Sequence, residues 1–315
     1  MYDTIIKGGR WFDGTGAASA IRHLGIRDGR VVTVSAAPLD EQGCARVIDA
    51  TDRWVLPGMI DIHTHYDVEV LGSPQLSESL RHGITTVLLG SCSISTVHVG
   101  PRVWHRDFFD AEIVDCPDPR VIGKTFGQVG LDRGGLHPVD AFLDLVVEHG
   151  DKVRWRTTIS NHRPHVLDRL ASHPGVHLGF SDAGAHLRNM AFYNFGLRFL
   201  RRVHEAERAG RPFLSLERAV HRMTGELADW YGLDAGHLRQ GDRADVVVID
   251  PAHLDAELDR YAEAPVAQYD NLSRMVNRND AAVSAVLVGG EFVFGEGRAG
   301  DSVGVTRTGR FLRAR

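Results

Sequence analysis

His63 and His65 stand one residue apart in Leu56-Pro-Gly-Met-Ile-Asp-Ile-His-Thr-His65. In an extended chain, side chains at i and i+2 project to the same side, so both imidazoles can ligate one metal ion. With 17 histidines in 315 residues, roughly one His-x-His pair is expected by chance. Context singles this one out. It closes an apolar strand behind a Pro-Gly turn, at the carboxyl end where β/α barrels place catalytic groups. A second candidate is Cys92, just past the apolar run Ile84 to Leu89. A lone cysteine is more often a small buried hydrophobe, but at the same end of the next strand its thiolate becomes a ligand candidate. A third is Asp182, in Gly179-Phe-Ser-Asp-Ala-Gly-Ala-His186. It could ligate a metal and take a proton from water, or serve as a helix N-cap. His186 reads equally as a substrate contact or a surface residue. His162 is a possible substitute ligand, whereas His165, His173 and His177 read as surface or structural residues.

Other chemistries fit poorly. Gly123-Lys124-Thr125 resembles the end of a phosphate loop, but the glycine required five residues earlier is Asp118. There is no Gly-x-Ser-x-Gly elbow, no Cys-x-x-Cys pair and no dinucleotide fingerprint.

These residues need elements to hold them. The first fifty or so residues read as short strands: Tyr2 to Lys7 ending at Gly8-Gly9, Ile21 to Ile26 and Val31 to Val34 flanking an Asp28-Gly29 hairpin turn, then Arg46 to Ile48 and Trp54 to Leu56. The other end has the same texture, with Ala244 to Asp250, then Ala282 to Val288 and Glu291 to Phe294 around Gly289-Gly290. Each end is too small to bury a core alone. The pattern predicts one β-sandwich from residues 1–56 and 237–315. Between them the texture alternates: strand Met59 to Ile62, helix Gln75 to Arg81, strand Ile84 to Leu89, amphipathic helix Pro138 to Glu148 with Val139, Phe142, Leu143, Val146 and Val147 at helical spacing, strand Val153 to Ile159, helix Pro164 to Ala171, strand Val176 to Phe180, then helices to Trp230. Such alternation predicts parallel β/α units in an α/β fold. An eight-unit barrel takes about 250 residues and rarely fewer than about 200. Met59 to Trp230 spans 172 residues and holds four convincing units. The expectation is an incomplete (β/α) TIM-type barrel over residues 57–236.

Composition narrows the class. The net charge of −5 gives no reason to expect nucleic acid or an anionic membrane as a partner, and no apolar run reaches the length of a membrane span. Met1 to Arg10 does not read as a signal peptide. Three irregularly spaced cysteines, Cys44, Cys92 and Cys116, make no disulfide framework and suit a reducing, cytoplasmic location.

Together the motifs resemble a known pattern. Val55-Leu-Pro-Gly-Met-Ile-Asp-Ile-His-Thr-His-Tyr-Asp67 looks like the first barrel strand of the amidohydrolase superfamily. Gly90-Ser-Cys-Ser resembles a segment of its N-acyl-D-amino-acid deacylase (D-aminoacylase) branch, Gly179-Phe-Ser-Asp-Ala-Gly is similar to that branch's last-strand motif, and Leu238 to Pro251 looks like the return into its β-sandwich. The resemblance covers nearly all of the chain, in order. It implies zinc as cofactor, His63 and His65 as ligands of a weakly held metal, Cys92 as ligand of the tightly held zinc, Asp182 as the residue that activates the attacking water, and Arg188 as the residue that holds the substrate carboxylate. It also implies a departure. The branch's fifth and sixth strands supply two further histidine ligands, but here the chain passes from the Cys92 segment through Val97 to Arg106 into Asp110 to Cys116, which resembles the region of the seventh strand. Strands three to six are missing, and His98, His105 or His162 would have to substitute.

The expected activity is zinc-assisted hydrolysis of the amide bond of a small N-acyl amino acid. Two alternatives stand beside it. One is a cyclic amide hydrolase of the dihydroorotase or hydantoinase type, weakened because Lys7, Lys124 and Lys152 all fall away from strand carboxyl ends, where a carbamylated bridging lysine would sit. The other is a catalytically impaired, shortened remnant acting as a binding or structural protein, whose exposed strand edges could pair with a second copy as a homo-oligomer.

Overall fold

The computed structural model describes residues 1–66, 69–89, 109–156, 163–184, 192–266 and 272–314. It is a mixed α/β protein whose chain divides into two compact units, Met1–Ser93 with Pro174–Arg315, and Ile94–His173.

In the first unit both ends of the chain enter one nine-stranded sheet. The strands are β1 (Thr4–Trp11), β2 (Ala20–Arg27), β3 (Arg30–Ser35), β4 (Arg46–Asp49) and β5 (Trp54–Pro57) from the amino-terminal side. The early hairpin forms as predicted. Asp28 (φ 52°) and Gly29 (φ 73°) both adopt positive φ, the geometry of the two-residue turn whose twist matches its strands. The reading of Gly8-Gly9 as a strand end is corrected: β1 runs through to Trp11, with a register shift between Ile6 and Gly9. On its other edge β1 changes partner there, pairing in parallel first with β4 and then with β5.

Next come β6 (Met59–Asp61), α1 (Glu69–Gly72), α2 (Ser77–Arg81) and β7 (Ile84–Val87). β6 and β7 are parallel, Met59 opposite Ile84 and Asp61 opposite Val87. Among the described residues this is the parallel part of the expected β/α pattern, and no closed barrel forms.

The second unit contains β8 (Glu112–Asp115), α3 (Phe126–Asp132), α4 (Pro138–His149), β9 (Arg154–Arg156) and α5 (Pro164–Ser172). Thr125 and Gln128 form a reciprocal capping box at the start of α3, and Pro138 opens α4 where its missing N–H costs nothing. Two expectations are corrected here. β8 and β9 pair antiparallel, so they are not a parallel β/α unit. The buried stripe of α4 is Ala141 and Leu145 with Phe142 against it, whereas Leu143 and Val147 face solvent at 50% and 86% exposure. Of the predicted stripe, Phe142 does turn inward, onto Phe126 and Trp155.

The remaining elements return to the first unit: α6 (Phe195–Arg208), α7 (Leu216–Met223), α8 (Gly225–Tyr231), β10 (Val246–Ile249), β11 (Glu263–Val266), β12 (Leu272–Met275), β13 (Val283–Val288), β14 (Glu291–Gly295) and β15 (Arg298–Ala299). The predicted hairpin at Gly289-Gly290 is present between β13 and β14, while β11 and β12 form a separate antiparallel pair. β10 lies between β5 and β13 and all four of its residues are buried. Strand alternation sends Val246 and Val248 into a core with Ile6, Leu24, Val55 and Leu287. Val247 and Ile249 meet Leu197, Leu200 and Val203 of α6 and Ala219, Val220 and Met223 of α7. Each fully buried valine or isoleucine contributes about 1.5–3 kcal/mol, so β10 anchors the sheet through both faces. No helix of the described residues is long and apolar enough to cross a membrane.

Candidate metal centre

The site grows from the end of β6. Gly58 before it is fixed by packing: a Cβ there would lie 1.8 Å from Thr85 Oγ1, which requires glycine in the Pro-Gly turn. Beyond Asp61 the chain runs between two segments. On one side Leu88 N–H donates to the Asp61 carbonyl (2.9 Å), and the Thr64 hydroxyl donates to the Leu88 carbonyl (2.7 Å). On the other, Ile62 N–H donates to Gly179 O (3.2 Å), Asp182 N–H to His63 O (3.2 Å) and His65 N–H to Ala183 O (2.7 Å). This last set is the backbone of the candidate metal centre. It holds His63 and His65 in register with Asp182.

The stretch Val176 to Phe180, expected as a strand, is not regular strand. Gly179 (φ 148°) and Asp182 (φ 59°) leave the extended region, so the pairing reduces to a few hydrogen bonds and one parallel bridge, Thr64 with Ala183. Aspartate tolerates the left-handed region better than most residues, and the turn it makes carries its carboxylate toward the histidines.

His65 Nε2 lies 3.0 Å from Asp182 Oδ1 and His63 Nε2 lies 3.5 Å from the same oxygen. One donor atom from each of the three residues falls within 4.8 Å of the others. Two ligands about 2.0–2.1 Å from a tetrahedral zinc stand about 3.4 Å apart, so these separations suit a common cation. The Asp182 side chain is 5% exposed, while those of His63 and His65 are 28% and 20% exposed, so the imidazoles face outward and the carboxylate sits beneath. Phe180 covers His63 edge-on, at 4.8 Å between ring centroids.

Of the residues singled out from sequence, the structure brings together His63, His65 and Asp182. Cys92 and Arg188 lie outside the described residues, as do His98, His105, His162 and His186. His177 is elsewhere, with Nδ1 3.3 Å from Glu226 Oε1 and its ring against Trp230. Among the described residues no other group of histidine, cysteine and carboxylate side chains converges in this way.

Sequence reasoning missed Asp61. It is 0% exposed, directly below the histidines, and its Oδ1 accepts the N–H groups of His63 (3.2 Å) and Ser181 (3.3 Å). Burial pushes its carboxyl up to about 6. Hydrogen bonds from the Ser181 side chain and from the N–H groups of His63 and Ser181 oppose the rise, and the negative charge of Asp182 adds to it. The available signal was a carboxylate inside the otherwise apolar Met59-Ile-Asp-Ile62.

Comparison with known proteins places this geometry. No protein-family model matches the chain. The uncharacterized protein Rv2913c of Mycobacterium tuberculosis (strain ATCC 25618 / H37Rv) is 34% identical over 586 aligned positions, spanning 99% of this chain and 96% of that protein. This chain has 315 residues, so at least 271 of those 586 positions, the difference between the two lengths, hold no residue of it. The span runs nearly end to end in both, which makes the shortfall internal. The N-acyl-D-glutamate deacylase of Alcaligenes xylosoxydans xylosoxydans is 40% identical over 96 residues, 30% of this chain and 19% of that protein. Among solved structures, a D-aminoacylase described as having a binuclear metal center superposes with a TM-score of 0.62 at 17% identity, covering 99% of this chain and 100% of that one. The fold is therefore that of this D-aminoacylase. The chain belongs to one family with Rv2913c.

Proposed function

We propose that the chain is a metal-dependent amidohydrolase that cleaves the amide bond of a small N-acyl amino acid. The observation that carries this reading is the convergence of His63, His65 and Asp182 at the end of β6. Two imidazoles and a carboxylate form a donor set that favours zinc over calcium or magnesium, and a thiolate from Cys92 would strengthen that preference. A divalent cation held there supplies Lewis acidity, polarising an amide carbonyl and making water a stronger acid.

The protein's own residues do the rest. His63 and His65 would hold the cation through their imidazole nitrogens. Asp182, the more buried of the three side chains, takes the proton of the attacking water and returns it to the leaving amine. Arg188 pairs with the carboxylate of the amino-acid portion. In this reading residues 57–236 are a shortened (β/α) barrel, and residues 1–56 with 237–315 are its β-sandwich. The unpaired cysteines Cys44 and Cys116 suit a reducing cytoplasm.

A second reading is favoured by one observation, the internal shortfall of at least 271 positions against Rv2913c. A chain this shortened could keep the donor cluster and bind without turnover. A cyclic-amide hydrolase of the hydantoinase or dihydroorotase type is less well supported. Two of the chain's three lysines are engaged in ion pairs, Lys7 with Glu41 and Lys124 with Asp132.

Elemental analysis followed by assays on N-acetyl-D- and N-acetyl-L-amino acids and on a hydantoin separates the three. About one zinc per chain, lost in Cys92→Ala, with N-acetyl hydrolysis that depends on Asp182, is the expected result. Zinc without turnover leaves the binding protein, and hydantoin cleavage alone leaves the cyclic-amide reading. A purified chain that stays empty when zinc is supplied contradicts the site.

A further inference from the structure

We infer that Asp61 is a positioning residue for the metal centre, acting through a single acceptor oxygen that ties together the two segments carrying the donors. The inference rests on the reading of His63, His65 and Asp182 as a metal site.

The two donor-bearing segments belong to distant parts of the sequence, 61–65 and 179–184. Their mutual register determines whether the imidazoles and the carboxylate meet. Three backbone hydrogen bonds span them, and two of these, from Ile62 to Gly179 and from Asp182 to His63, are 3.2 Å long. Asp61 adds a fourth tie of a different kind. Its Oδ1 accepts one N–H from each segment, that of His63, itself a donor residue, and that of Ser181, next to the third donor residue. Ser181 is 0% exposed and Asp61 is 0% exposed, so water cannot replace the acceptor. Without it, the N–H of buried Ser181 and that of His63 lose a partner, and a buried N–H without one is rarely tolerated in native structures.

The anchor of this tie is itself fixed. The Asp61 carbonyl accepts Leu88 N–H at 2.9 Å, and Asp61 stands opposite Val87 in the β6–β7 ladder. The Ser181 hydroxyl continues the linkage by accepting Ala183 N–H at 3.0 Å. The sequence of contacts therefore runs from β7 through Asp61 to both donor segments. It explains why a buried carboxylate is kept in a strand whose neighbours are apolar: its use is as an acceptor, which asparagine can supply as well.

The test compares zinc affinity, by competition with a chromophoric chelator, for the full chain as wild type, Asp61→Asn and Asp61→Ala. The cobalt(II) absorption of each records the ligand geometry. Asp61→Asn is expected to bind within about threefold of wild type with an unchanged cobalt spectrum. Asp61→Ala is expected to bind about 10–100-fold more weakly, the range seen when a residue supporting a ligand is removed. Equal binding by Asp61→Ala overturns the inference, and so does an equal loss in Asp61→Asn, which would assign the effect to charge. A wild-type chain that binds no zinc removes the site itself, an outcome distinct from either. If Asp61→Ala does not fold, hydrogen exchange on the metal-free wild type decides. Protection of the His63 and Ser181 amides comparable to β6 supports the tie, and exchange at the rate of an open loop overturns it.

Discussion

Two regions of the first unit bury carboxylates beside histidines, and they solve the problem in opposite ways. Around Glu78 the answer is guanidinium. Arg278 grips the carboxylate with two hydrogen bonds of 2.6 and 3.0 Å, His82 Nε2 lies 3.4 Å away, and Arg274 reaches Glu69 at 2.6 Å while approaching Glu78 at 4.0 Å. Burial raises the pKa of Glu78, but the hydrogen bonds from His82 and Arg278, with the charges behind them, outweigh it and hold the value at about 2. Below the metal centre, Asp61 is as deeply buried, yet its pKa rises to about 6, because N–H groups and a hydroxyl are all that oppose burial and Asp182 adds negative charge. The first region is a closed ion network. The second gathers two imidazoles around a carboxylate, a donor set that could hold a cation. Buried ionic groups by themselves therefore do not mark function. What distinguishes the candidate metal centre is the convergence of potential ligand atoms on one point.

Disabling each region should have different consequences. The largest effect is expected from Asp182→Asn, which should lower kcat for N-acetyl amino acid hydrolysis by about 10²–10⁴-fold with little change in thermal stability. A matching fall in the melting temperature would place Asp182 in the structural class with Glu78. In the ion network the reverse is expected. Arg274→Met leaves Glu69 buried without its partner, and chemical denaturation should show a loss of about 3–5 kcal/mol, with zinc stoichiometry per folded chain unchanged.

The network should also show itself in acid. Because the folded-state pKa of Glu78 is depressed, its contribution is complete above the unfolded value of 4.5 and is lost as pH falls toward about 2. The effect is on the order of 3 kcal/mol. Stability measured from pH 6 to 2 should decline through that window, and Glu78→Gln should flatten the decline. An equally steep curve in Glu78→Gln would assign acid sensitivity to other groups. The smallest effect is expected at the half-exposed Arg133–Glu148 pair of the second unit, where Glu148→Ala should cost under about 1 kcal/mol.

Much of this contrast was legible in the sequence, and the illegible parts have identifiable causes. The hairpins at Asp28-Gly29 and Gly289-Gly290 were readable because two-residue turns demand those residues. The His63–His65 pair and Asp182 were readable because each ends an apolar run. The antiparallel pairing of β8 and β9 was not, since alternation of helix and strand says nothing about strand direction once a unit departs from the regular crossover. The exposure of Leu143 and Val147 on α4 was not legible, because both satisfy helical spacing as well as Ala141 and Leu145 do. Asp61 was passed over because its role depends on the Ser181 amide, 120 residues away. The ion network was invisible for the same reason, joining Glu69 and Glu78 to residues 205 and 200 positions later.

The most direct test of the account is the zinc content of the purified full chain and of a His63→Ala/His65→Ala double variant, after equilibration with zinc and removal of the excess. About one zinc per wild-type chain and a loss of at least about 100-fold in affinity in the double variant are expected. Equal zinc in both proteins, or none in either, would contradict the claim that these histidines and Asp182 form a metal centre.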